Sequence, residues 1–284
     1  MKIVIVNDIK GDHESIIPYG LNMAKYLEAE VILVHVVDPR VQQAVPSVVA
    51  DSSSISPGEK QLADEFYRKE LEQSKQELDD FLSHEISRLN YPLKWELDLR
   101  IDSIENRLKT IAEEYPDSIF VMSKTPDNYI FDSQKETIDI SQTFSGLCLF
   151  VPAGEQFVPY SSILIPTGFT NEEKDGINHL ACLLNHFLPV VNLLGRPERK
   201  GEKEMTTLMD IDQLFPKATV NYKVLQEGNF DDEFIDHARI LSPSLVAVVE
   251  EKKGFWSKLF KKELIRKLLK SSDCPVLYSN YDAN

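Results

Sequence analysis

Residues 97–123, LDLRIDSIENRLKTIAEEYPDSIFVMS, return at residues 223–249 as KVLQEGNFDDEFIDHARILSPSLVAVV. Each stretch reads as strand, helix, strand, at a constant offset of 126 residues. The match runs on without a gap to a last strand in each copy, CLFV (148–151) against CPVL (274–277). Toward the amino end the echo persists with a different offset. KIVIVND (2–8) and SILIPTG (162–168) are short apolar runs ending in a polar turn, as buried parallel strands read. Helical patterns follow both, through Ile16, Ile17, Leu21, Ala24 and Leu27 in one and Ile177, Leu180, Leu183, Leu184 and Phe187 in the other. Second strands come next, AEVILVHVV (29–37) and PVVNLLGRP (189–197), and here the offset is 160. The first copy therefore carries 34 extra residues within 38–94, a region holding VPSVVADSSSISPGE and the charged helical run LADEFYRKELEQSKQELDDFLSHEISRL.

Alternating strands and helices predict right-handed crossovers and a parallel sheet covered on both faces. The expectation is an α/β chain of two tandem doubly wound five-stranded parallel-sheet domains, 1–154 and 160–284, joined near Gly154 to Tyr160. In such sheets a ligand sits at the carboxyl ends of the strands, where the strand order reverses. The loops after Val6, Val36 and Met122 are the predicted site in copy one.

Composition narrows the function classes. The net charge of −15 excludes a general nucleic-acid binder, because neutralising phosphates needs a positive surface. The apolar run at the start, Ile3 to Val6, is too short for a secretory core or a membrane span, which predicts a cytoplasmic protein. Three cysteines, Cys148, Cys182 and Cys274, are widely spaced and form neither a disulfide framework nor a zinc pattern. Cys148 and Cys274 fall at the same place in the two last strands and read as small buried apolar residues. No Ser-His-Asp order, HExxH or metal-spaced carboxylate set emerges.

The strings IVIVND (3–8), VILVHVVDP (31–39), IDSIENRLKTIAEEYPDSIFVMS (101–123), ILIPTGFTNEE (163–173) and SDCPVLYS (272–279) together resemble the universal stress protein family in its tandem form. The resemblance covers nearly the whole chain. It implies strand order 3-2-1-4-5, an adenine nucleotide alpha hydrolase-like fold, and pairing of the two halves through their last strands. Its ATP-binding branch carries a loop G-x2-G-x9-G-[S/T] after the fourth strand, where glycine N–H groups and a helix N-terminus hold phosphates. In that branch an Asp ends the first strand and a His-Val pair follows the second.

Mapped onto this chain, the pattern survives only in part. Copy one keeps Asp8, His35 and Val36, but its loop positions read Ser123, Pro126, Glu136 and Thr137. Every glycine is missing, Glu136 would repel a phosphate, and Pro126 lacks a donor. Copy two has Gly168, Gly195 and Arg196 at the first positions and Val249, Lys252, Lys262 and Glu263 in the loop. The candidate ligand residues are Asp8, Val36, Ser123 and Thr137. Asp8 reads equally as a helix N-cap, and the two hydroxyls as ordinary capping residues.

The segment 252–270, KKGFWSKLFKKELIRKLLK, holds eight basic residues against one acid. Its apolar residues fall at helical spacing, so it reads either as the fourth helix of copy two or as a surface for anionic membranes or partners. Lys258, Lys261 and Lys262 are its candidate anion or partner patch.

The expected function is regulatory binding by a non-catalytic stress-response protein, with an unidentified protein or small-molecule partner. No cofactor is expected, ATP or AMP being the alternative through an altered loop in copy one, with slow ATPase activity attached to it. Docking to a membrane surface or partner through 252–270 is a further alternative. An intramolecular pseudo-dimer is expected, and with it the option of a homodimer. An ATP-pyrophosphatase is disfavoured, because NDIKGDHES after the first strand is not an SGGxDS-type loop.

Overall fold

Among the described residues ten strands line up into one sheet, with apolar runs at its centre, polar strands at its two edges and helices on each face. The structure is a computed structural model that describes residues 1–7, 13–37, 57–124, 137–168, 171–196, 210–225, 229–251 and 257–281. In chain order the first half contains β1 (Lys2–Val6), α1 (His13–Leu27), β2 (Glu30–Val37), α2 (Pro57–Leu89), β3 (Trp95–Ile101), α3 (Ile104–Glu114), β4 (Ser118–Ser123), α4 (Thr137–Ser141) and β5 (Gly146–Val151). The second contains β6 (Ser162–Thr167), α5 (Asn171–Leu184), β7 (Val190–Gly195), β8 (Thr219–Val224), α6 (Phe230–Leu241), β9 (Leu245–Glu251), α7 (Ser257–Ser271) and β10 (Val276–Tyr281).

The sheet order is β3-β2-β1-β4-β5-β10-β9-β6-β7-β8, so each half has the order 3-2-1-4-5 and the two meet at their last strands. All pairings are parallel except that central one. There β5 and β10 run antiparallel, with Phe150 opposite Val276, Leu149 opposite Leu277 and Cys148 opposite Tyr278. The expected pairing of CLFV with CPVL is thus present, and it removes one open edge from each half. Instead of two separate five-stranded sheets, the structure has one continuous sheet of ten strands.

Continuous apolar runs are needed because both faces of each central strand are buried. In β1, Ile3 and Ile5 point into a core shared with α1, α2 and α5, while Val4 and Val6 point into a second core under α3, α6 and α7. Each core draws on both halves of the chain. The 34-residue surplus falls where α2 lies, and Leu78, Leu82 and Leu89 lay one face of that helix on the first core.

Register corrects the repeat at one point. Phe120 of β4 pairs with Cys148, whereas Val246 of β9, at the 126 offset, pairs with Val276. The last strands are therefore displaced by two residues relative to the gapless match. Val276, rather than Cys274, stands where Cys148 stands. Both occupy the second core, while Cys274 is only partly buried ahead of β10.

The connector between halves is packed rather than slack. Tyr160 and Tyr19 share a buried hydroxyl–hydroxyl hydrogen bond of 2.7 Å. Phe157 sets its edge on Tyr19 at 5.5 Å, and Tyr26 stacks on Phe187 at 5.4 Å.

Candidate functional site

The strand order reverses between β1 and β4 in the first half, and the carboxyl ends of β2, β1 and β4 bring Val36, Asn7 and Ser123 to one edge. Val36 is buried in the second core. Ser123 ends β4 half-buried. Thr137 is buried as the first residue of α4. Asp8 and loop positions 126 and 136 lie outside the described residues.

Asn7, which carried no weight in the sequence, is the notable residue here. It is completely buried just past β1, and among the described residues its side-chain Nδ2 and Oδ1 have no hydrogen-bond partner. Its backbone is fully engaged: the N–H donates to Val34 O at 2.9 Å, and the carbonyl lies 3.3 Å from His35 Nδ1. A primary amide has two donors and an acceptor, and leaving such groups dry and unpaired costs about 1–3 kcal/mol each. Native proteins tolerate few such groups, and an unmet polar group at a strand-order switch is a place for a ligand to meet.

His35 holds the neighbouring position. Burial pushes its pKa down to about 4, against the opposing pull of the Asn7 carbonyl. The imidazole is neutral at pH 7, and because a carbonyl only accepts, Nδ1 carries the proton. It presents a neutral dipole beside Asn7.

Lys124 follows β4, and its ammonium turns onto the second half of the chain. It donates to Ser272 Oγ at 2.7 Å, to Ser272 O, and to Cys274 O at 3.4 Å. Burial lowers its pKa to about 8. It caps the carbonyl end of α7, where a cation is favoured by the helix dipole.

The second half fills the equivalent place with its own side chains. Thr167 stands at the position of Asn7. Buried Glu173 reaches back from the first turn of α5 and accepts from Thr167 Oγ1 and from Gly168 N–H, both at 2.7 Å. Arg196, at the position of Val36, pairs with Glu233 at 3.1 Å and lies over the Phe230 ring. Residue 173 matches His13 in the first half, so the sequence offered a signal: a carboxylate placed to satisfy the end of its own strand.

The basic segment forms α7, which begins six residues before the 263–271 that the repeat demands. Leu264, Ile265 and Leu268 are buried in the second core. Arg266 pairs with Asp139 at 3.1 Å, and Lys267 with Asp231 and Asp232 at 3.3 Å each. Lys258, Lys261 and Lys262 lie on this helix, with side chains outside what is described. Among the described residues no three His, Cys, Asp or Glu side chains could hold a metal ion. Among them, too, no helix is long and apolar enough to cross a membrane.

No protein-family model matches the chain. No curated protein sequence matches it either. Solved structures do match in fold. A universal stress protein from Archaeoglobus fulgidus superposes with a TM-score of 0.65 at 10% identity, covering 99% of this chain and 97% of that one. A functionally unknown protein from Pseudomonas aeruginosa superposes at 0.55 with 11% identity, over 98% and 92% of the two chains. The cytoplasmic domain of a prokaryotic cation chloride cotransporter does so at 0.50 with 12% identity, over 98% and 94%. The universal stress protein fold therefore extends over nearly the whole chain.

Proposed function

We propose that this chain is a non-catalytic, cytoplasmic regulatory protein of tandem universal stress protein type, divided into units 1–154 and 160–284. Its first unit binds a small polar ligand at the carboxyl ends of β1, β2 and β4, and its second unit is a structural partner. One observation carries this reading. Among the described residues the Asn7 amide is buried and unpaired at the strand-order switch of the first half, whereas Glu173 pairs with the equivalent place in the second.

A triphosphate fits poorly, since every loop glycine that would bring N–H groups to phosphates is absent from both copies. AMP or another compact nucleoside-like ligand is the nearer alternative, and Asp8, Val36, Ser123 and Thr137 are its proposed surroundings. Catalysis has little support: His35 is neutral and boxed in, and Lys124 is spent on α7. Docking through 252–270 draws less support than ligand binding, because Arg266 and Lys267 are paired with acids inside the protein.

The test combines two readouts on the purified full chain. Mass spectrometry after denaturation identifies any small molecule carried by the wild type, and calorimetry titrates AMP and ATP. The expectation is a bound small molecule lost in Asn7→Ala, with no micromolar ATP binding. Because an unpaired amide burdens the fold, Asn7→Ala should leave the urea midpoint unchanged or raise it. Micromolar ATP binding abolished by Asp8→Ala would overturn the reading, and so would a sharp loss of stability in Asn7→Ala.

A further inference from the structure

The opposite edge of the first half, where strands begin, holds a cleft of about 420 Å³, within the size range of small-ligand sites. Its floor is a row of register partners: Glu30 opens β2 opposite Lys2 of β1, and Lys2 stands opposite Ser118 of β4. Direct partners on neighbouring strands project to the same face. This is the face of Val4 and Phe120, under α3. The turn leaving α3 supplies the wall, with Tyr115 as the C-cap of that helix. A helix C-terminus favours positive charge.

The cleft already displays how it treats an amine. The Lys2 ammonium sits 4.2 Å from the centre of the Tyr115 ring, 3.6 Å from Glu30 and 3.5 Å from Glu96. An aromatic face with flanking carboxylates is a favourable setting for an alkylammonium. Lys2 does not exhaust it. Glu28, Glu114 and Asp117 also line the cleft, and among the described residues neither Glu28 nor Asp117 has an ion-pair partner.

Ser118 adds an independent observation. It is 2% exposed, lines the cleft on the face just described, and among the described residues its hydroxyl has no hydrogen-bond partner. A buried hydroxyl left unpaired points to something that pairs with it. The carboxylates are spread along the cleft and do not converge, and no metal-holding group exists among the described residues. An extended cation matches that spacing better than a compact ion.

We propose that this amino-edge cleft is a binding site for a small aliphatic polyamine, with one ammonium between Glu114 and the Ser118 hydroxyl and another between Glu28 and Asp117. It lies at the opposite ends of the strands from Asn7 and stands independently of the function proposed there.

Calorimetric titration of the full chain with spermidine at physiological ionic strength tests it. A chain of net charge −15 attracts any polycation, so matched controls decide the outcome. Saturable one-to-one binding is expected. The pair Glu28→Gln and Asp117→Asn, both exposed positions, should weaken it about tenfold or more. The same charge change at Glu72→Gln and Asp236→Asn, on α2 and α6, should alter it less than about twofold. Ser118→Val should weaken binding about fivefold while the control pair does not. Absence of saturation, equal weakening by the control pair, or displacement of spermidine by equimolar magnesium chloride would each overturn the proposal.

Discussion

His35 ties the stability of the first half to pH. It is 5% exposed at the carboxyl end of β2, and burial lowers its pKa to about 4, against an ordinary value of 6.5. Between those two values the unfolded chain binds a proton that the folded chain refuses. Stability therefore falls as pH drops from 6.5 toward 4, and the contribution levels off below that. The full penalty is roughly 3 kcal/mol, from about 1.4 kcal/mol per pKa unit. Urea unfolding of the wild type and of His35→Gln from pH 7.5 to 4 should give curves that converge in that window, the wild type losing more. Parallel curves would show that His35 takes up its proton without cost. Asn7, beside it, illustrates what a sequence conceals. Asn7 and Asp8 are both polar residues ending an apolar run, and nothing in the sequence says that the Asn7 side chain is fully buried. The closing of the second half was partly legible, since Gly168 and Arg196 already break the ligand pattern, but Glu173 acts through a fold-back that spacing does not reveal.

Helices approach the sheet most closely at glycine, and two of these contacts differ in how they would give way. A Cβ on Gly20 of α1 would meet Ile5 Cδ1 at 2.5 Å and Cγ1 at 2.6 Å, with Ile5 Cβ 3.7 Å away. A Cβ on Gly176 of α5 would run into Val249 Cγ1 and stand 3.3 Å from its Cβ. Isoleucine and valine are both stiff at χ1 and both are buried here, but the Gly176 contact lies closer to its strand, so α5 must move further than α1. Alanine normally gains about 0.5–1 kcal/mol over glycine inside a helix, while overpacking costs about 1–3 kcal/mol. Gly176→Ala should therefore destabilise by about 1–2 kcal/mol and Gly20→Ala by less. Thermal melts of the two variants side by side check the order, and a stabilised Gly176→Ala would contradict the close approach. At this scale most elements were readable, because a buried parallel strand needs an unbroken apolar run and β1, β2, β4 and β6 each have one. What escaped was phase. The two-residue slip at the last strand hides behind a chance match of Cys148 with Cys274. Sequence similarity rewarded that cysteine pair, whereas register is set by which side chains face which core.

At the scale of the molecule, the β5–β10 seam decides whether two copies of a fold behave as one protein. The ladder there is antiparallel, both cores cross it, and Tyr160, Phe157 and Tyr19 lock the connector over it. If the seam is worth more than the difference in stability between the halves, they unfold together. The chain has two tryptophans, Trp95 in β3 and Trp256 in the second copy, the latter outside the described residues. The variants Trp95→Phe and Trp256→Phe should give urea curves with coincident midpoints. Tyr278 lies at the centre of the seam, fully buried opposite Cys148. Truncating a large buried aromatic costs about 3–5 kcal/mol. The loss falls on the contact between halves more than on either half alone. In a Tyr278→Ala background the two tryptophan curves should separate, the half with the weaker core unfolding first. Separate midpoints already in the otherwise unaltered chain would mean that the halves are joined in space without being joined in stability. The second half could then not serve as the rigid partner of a ligand-binding first half.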